Sequence, residues 1–319
     1  MKKIFVAVMA MAAFAACSNE EQIAAPQGQE IAFGDAFVDN ATKAIYEGAN
    51  KLTQFTVWGS VNNVPLYGTT GATVEGDAYD GIWTCDETRY WTPSCNFKFF
   101  ATAHATVAES DVVDGIPTKF SYTADGTTDL LCSTGIATAT TDAAGTPTAV
   151  AEGSLKKVGE ESVVAFTMKH LLSRIAFKFT VAADLYPDYT YGVENVQVTG
   201  AYATGDCTPA GVWSNQDGAI GALQFANIAT VDKTNGSAAE GAYVIIPGTQ
   251  DLTIKFDAVC YLNGTEIKTY QYSIPVTNEL LANNAYTFVA ELPLPGNPIK
   301  FTVVEVDGWD DADDDVDVQ

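Results

Sequence analysis

The stretch "RIAFKFTV", residues 174–181, places Ile175, Phe177, Phe179 and Val181 on one side of the chain and Ala176, Lys178 and Thr180 on the other. A period of two belongs to a half-buried β-strand, whose successive side chains leave opposite faces. In "LTIKFDAVCYLNGTEIKTYQYSI", residues 252–274, Leu252, Ile254, Phe256 and Ala258 share a face, and Asn263-Gly264 supplies the positive-φ pair of a two-residue hairpin turn. "FTVWGSV", "NFKFFATA", "VVAFTM", "AYVII", "AYTFVAEL" and "IKFTVVEV" read as further strands, separated by clusters such as "YGTTGATVEGD" and "TTDAAGTPTAVAEG". No segment carries the caps and apolar stripe of a long helix. The expected fold is mostly β, two β-sandwich domains in tandem, with the boundary close to His170.

The amino terminus is of another kind. Met1-Lys2-Lys3 is a cationic start, and the apolar run "IFVAVMAMAAFAA" is too short to span about 30 Å of bilayer. Residues 1–16 read as a lipoprotein signal peptide, because Phe14-Ala15-Ala16-Cys17 resembles a lipobox in which the acylated cysteine becomes the new N-terminus. Each buried CH₂ of its acyl chains contributes about 0.8 kcal/mol, so several chains anchor stably. The following "SNEEQ" resembles an acidic flank that directs lipoproteins to the outer face of the cell.

Formal net charge is −24; removal of Lys2 and Lys3 takes it to −26. Such acidity disfavours nucleic acid and anionic lipid as partners. Beyond Cys17 the cysteines are Cys85, Cys95, Cys132, Cys207 and Cys260, with no C-x-x-C spacing, so neither structural zinc nor another metal or cofactor is expected. Cys85 and Cys95 are the expected disulfide, the intervening "DETRYWTPS" serving to bring two strands side by side; the alternative is two buried thiols. Two histidines, His104 and His170, lie in no catalytic motif, and there is neither a G-x-S-x-G elbow nor a phosphate loop. His170 reads as a hydrogen-bonded structural residue, and no enzymatic activity is expected. The ending "DGWDDADDDVDVQ" lacks the register of a calcium loop and reads as a solvated acidic tail.

Four segments, in order along the chain, resemble those of fimbrillins, the subunits of type V pili: "IAFGDAFVDNATKA", "WTCDETRYWTPSCNFKFFATA", "FTMKHLLSRIAFKFTV" and "IKFTVVEVDGW". Thr92 intrudes between Trp91 and Pro93 in the second. The resemblance implies transthyretin-like, Greek-key sandwiches and a lipoprotein precursor of the outer membrane. It implies a propeptide over residues 17–43 that includes a removable first strand with Ile31 and Phe33. It also implies a cut by a trypsin-like protease between Lys43 and Ala44. Residues 44–169 and 170–319 would be the two domains. The emptied groove would then accept a strand from another copy or a related subunit, a form of β-augmentation. The donor is expected in the C-terminal region, either Val304 and Val306 or Val316 and Val318, both pairs repeating the i, i+2 spacing.

Within that family the chain reads as a stalk subunit supporting adhesion from an extracellular fimbria, with a tip adhesin or an anchor as alternatives. A different class, a surface glycan-binding lipoprotein, would need exposed aromatics, for which Trp83, Tyr90 and Trp91 are the candidates.

Overall fold

The computed structural model describes residues 28–38, 52–76, 81–276, 279–294 and 297–307. Among these the first half contributes β1 (Ala32–Val38), β2 (Gln54–Val61), β3 (Val64–Pro65), β4 (Ala72–Glu75), β5 (Thr84–Cys85), β6 (Asn96–Ala103), β7 (Val112–Val113), β8 (Ile116–Pro117), β9 (Phe120–Thr123), β10 (Leu131–Ser133), β11 (Ala137–Thr141), β12 (Pro147–Ala149), β13 (Leu155–Val158) and β14 (Glu161–His170). The second half contributes β15 (Ser173–Val181), β16 (Tyr189–Thr199), β17 (Thr204–Cys207), β18 (Trp213–Asp217), β19 (Leu223–Gln224), β20 (Ser237–Ile245), β21 (Leu252–Leu262), β22 (Thr265–Val276), β23 (Asn284–Leu292) and β24 (Lys300–Asp307). A single 3₁₀ turn at Glu109–Asp111 is the only helical element among the described residues. The mostly β reading therefore holds.

The second half is a sandwich of two four-stranded sheets, ordered β20-β15-β23-β24 and β19-β16-β21-β22. Its core is built from the alternation seen in the sequence: Ile175, Phe177 and Phe179 are buried from one sheet, and Leu252, Ile254, Phe256 and Ala258 from the other. Phe179 meets Phe256 edge-on across the two layers, with ring centroids 5.0 Å apart. Asn263 and Gly264 take φ of 48° and 78°, which turns β21 into β22 with the twist that a tight hairpin needs.

The first half is arranged differently. Its strands form one eleven-stranded sheet whose main path is β1-β14-β10-β6-β2-β4-β5. Bridges Phe33↔Trp83 and Glu30↔Tyr90 join the start of β1 to the chain around β5, at the opposite end of that path. The sheet thus closes on itself around a core that includes Phe33, Phe55, Phe99 and Phe166.

The halves share structure. β9 pairs with β17, and β18 completes a three-stranded sheet made from both halves. Beneath it lies a third core containing Phe100, Phe120, Leu171, Leu172, Val244 and Ile246. Trp213 Nε1 donates to Leu171 O at 2.8 Å, pinning the β17–β18 hairpin to the end of β14. At the same junction His170 Nδ1 pairs with the fully buried Asp129 carboxylate, and His104 Nδ1 lies 2.7 Å from Asp129 O, so both histidines of the chain converge on one residue.

The expected Cys85–Cys95 bridge is not formed, and both are free thiols. Cys85 is in β5 while Cys95 immediately precedes β6, and β4 and β2 lie between those strands. Three strand spacings come to about 14 Å, twice the separation of about 7 Å that a disulfide tolerates. Cys95 Sγ instead accepts from Asn62 Nδ2 at 3.3 Å.

His170→Ala strips the buried Asp129 carboxylate of its imidazole partner and is expected to lower stability by about 3 kcal/mol, read as a fall in the urea midpoint. Replacing both residues by leucine should recover most of that loss, because no unpartnered polar group is then buried.

Candidate functional site

The segment from Gly28 to Val38 is bonded to neighbours on two sides. On one side β1 runs parallel to β14, with Ala32 opposite Val163 and Phe33 opposite Val164; after an irregularity, Ala36 lies opposite Phe166. On the other side Ile31 N donates to Arg89 O at 2.8 Å, Trp83 N to Phe33 O at 2.8 Å and Trp91 N to Gln29 O at 2.9 Å. The chain around Phe33, bonded on both sides and with Ile31 and Phe33 in the core, occupies a slot.

Ile31 and Phe33, two residues apart, point into the same core and are 2% and 0% exposed. The Phe33 ring meets Phe99 edge-on at 5.9 Å and lies nearly parallel to Phe166 at 6.3 Å. Tyr67 forms a further wall, its ring 6.3 Å from Phe33 and the Arg89 guanidinium 5.5 Å from its centroid. Burial, the largest influence, pushes the Tyr67 hydroxyl well above the ordinary tyrosine range, so this wall stays neutral. A cleft of about 360 Å³ flanks the start of the strand between Glu30, Ile31, Trp83 and Glu161.

Two glycines set how closely the slot grips. A Cβ on Gly28 would stand 2.4 Å from Trp91 O, and one on Gly34 would stand 2.7 Å from Val163 Cγ2. The slot therefore takes two large apolar side chains between two positions that have none. The signal was present as "GQEIAFG", since a glycine inside a strand often marks close backbone approach. The second flank, residues 83–91, carries no such mark: only the short β5 (Thr84–Cys85) within it is a strand.

The other expected site residues fall elsewhere. Val304 and Val306 lie in β24, opposite Thr287 and Ala285 of β23, so the backbone of that stretch already serves as an edge strand of its own sandwich. Cys17, Lys43, Ala44, Val316 and Val318 lie outside the described residues. The aromatic platform imagined for a glycan is largely core: Trp83 and Trp91 are 4% and 1% exposed, and Trp91 packs edge-on against Phe97 at 4.7 Å. Tyr90 alone reaches solvent. Among the described residues no three His, Cys, Asp or Glu side chains gather into a metal site.

No curated protein matches the chain in sequence. In structure it is similar to a fimbrial protein from Bacteroides vulgatus, with a TM-score of 0.59 at 12% identity, over 88% of this chain and 99% of that one. A proposed cell adhesion protein from Bacteroides ovatus gives a TM-score of 0.49 at 15% identity, over 88% and 98% of the two chains. The tip fimbrial protein Mfa3 from Porphyromonas gingivalis, truncated at its C-terminus, gives 0.41 at 8% identity, over 88% and 100%. The model of the fimbrillin-like family matches residues 38–309. The chain belongs to the fimbrillin-like family.

Proposed function

We propose that this protein is a structural subunit of a cell-surface fimbria, exported as a lipoprotein held by Cys17 and released for assembly by a cut between Lys43 and Ala44. The single observation that carries the proposal is the slot around β1. One strand closes the first sheet, is bonded along both edges and fills the core with Ile31 and Phe33. Once the chain is cut after Lys43, β1 is held only by non-covalent contacts. Its loss uncovers β14 on one side and residues 83–91 on the other, two sets of backbone groups that together template one new strand.

A strand from a neighbouring subunit, another copy or a related chain, would restore the ladder hydrogen bonds and the apolar burial. Burying an isoleucine and a phenylalanine contributes about 2 kcal/mol each. The donor comes from the C-terminal region, either β24 or the acidic tail beyond it. In either case the same cut frees the subunit from its lipid, as incorporation into a polymer requires.

Limited trypsin treatment should cut after Lys43, in the polar, turn-rich "DNATKAIYEGAN", before other sites. The uncut chain should stay monomeric in size-exclusion chromatography, and the cut chain should build ladders that survive mild detergent. A cut chain that has shed β1 and remains monomeric at all concentrations rejects the assembly.

Phe33→Ala removes the central ring of the slot and is expected to weaken retention of β1 by about 3 kcal/mol. Hydrogen exchange should show the loss first at the amides of residues 31–33, 83 and 91. Uniform loosening of the whole chain would argue against a separable strand.

A synthetic peptide of residues 28–38 should bind the cut, emptied protein, and the same peptide carrying Gly34→Val should bind at least tenfold more weakly by fluorescence anisotropy. Equal binding of the two would show that the slot does not read side-chain size at that position.

A further inference from the structure

Two cysteines that the slot does not use lie on opposite halves of the chain. Cys132 sits in β10, opposite Thr102 of β6 and Lys169 of β14. Cys207 ends β17, opposite Phe120 of β9 and Trp213 of β18. Both are free thiols in the structure, both are completely buried, and both belong to the core that the halves share.

Contacts among their neighbours link the two. From Cys132 the ladder crosses to Lys169, two residues before Leu171; Leu171 O accepts from Trp213 Nε1 at 2.8 Å; and Trp213 lies opposite Cys207. Cys132 Sγ approaches Pro209 O at 3.7 Å, two residues past Cys207. Burial pushes each thiol up to about 12, and the charge of Cys132 further opposes ionisation of Cys207. As thiolates are the reactive form, the closed protein protects the pair.

We propose that Cys132 and Cys207 are a redox pair that forms a disulfide across the shared core while the chain folds, before the β17–β18 hairpin seals over β10. The oxidant is a disulfide, supplied by a thiol–disulfide oxidoreductase or a small-molecule disulfide. The thiolate of one cysteine attacks one sulfur of that disulfide, forming a mixed disulfide and releasing one thiol. The thiolate of the other then attacks the chain's own sulfur in the mixed disulfide. The Cys132–Cys207 bond forms and the second thiol leaves. Two protons and two electrons pass from the chain to the oxidant, which ends as two thiols. The product ties β10 of the first half to β17 of the second and closes a long loop, which constrains the unfolded chain.

The full chain, unfolded in urea with a reductant and refolded with oxidised glutathione, tests this. A parallel sample is refolded with reduced glutathione. Both are alkylated after denaturation and digested without reduction. The expected result is a linked peptide pair containing Cys132 and Cys207 in the oxidised sample alone, lighter by two hydrogens than the free peptides. That sample should keep the circular dichroism of the untreated protein and show a higher urea midpoint than the reduced one. Alkylation of both residues after oxidative refolding overturns the proposal, as does a linked pair that involves Cys85, Cys95 or Cys260 instead. As an independent check, oxidation of the Cys17→Ser/Cys85→Ser/Cys95→Ser/Cys260→Ser variant should still yield the pair, whereas its absence there rejects the proposal.

Discussion

Everything in the first half depends on the pairing of β1 along both of its edges. A sheet whose path ran from β14 to β5 without it would end in two open edges around an incomplete core. The bonds to β14 on one side and to Arg89, Trp83 and Trp91 on the other turn that open sheet into a closed one. Closure removes the hazard of free strand edges, but it makes the fold rely on a segment close to the start of the chain. Ile31 and Phe33 add the burial that makes the pairing hold. A strand of this kind is a structural requirement of the sheet it closes.

The second half holds without such a device. Its sheets face one another across Phe177, Phe179, Phe225, Phe256 and Phe288, and β15 pairs β23 in parallel over eight residue positions from Arg174 to Val181. The two kinds of construction meet at a polar point: Asp129 is fully buried and receives His170, while its carbonyl meets His104. A buried, hydrogen-bonded polar pair contributes little net stability but penalises any arrangement that separates its members. Here that penalty fixes how the end of β14 sits on the loop before β10.

Much of this was legible in the sequence where local rules decide it. The alternation of Ile175, Phe177 and Phe179 and of Leu252, Ile254 and Phe256 gave the correct buried faces, because side-chain period follows from strand geometry alone. Asn263-Gly264 gave a hairpin because the turn demands positive φ. Ile31 and Phe33 read as one inward-facing pair for the same reason. The closure of the first sheet was not legible, since pairing partners far apart in sequence leave no trace in either strand. Cys85 and Cys95 show the cost: close in sequence, they lie three strands apart in the sheet. Gly28 and Gly34 were readable as glycines, but what they approach, Trp91 O and Val163, depends on the tertiary structure.

The pairing of β9 with β17 bears on the order of events in a chain made from one end. Ser121 of β9 bonds Asp206 of β17, 85 positions later, so the first half emerges with one of its strands lacking a partner. The three-stranded sheet cannot form until β17 and β18, as far as Asp217, have arrived. Contacts of such long range slow folding, because a large loop must close before any of them forms. For that interval β9 presents a bare edge, and whatever escorts the chain must shield it. The first half is therefore finished by strands that open the second, so neither half is a self-contained folding unit.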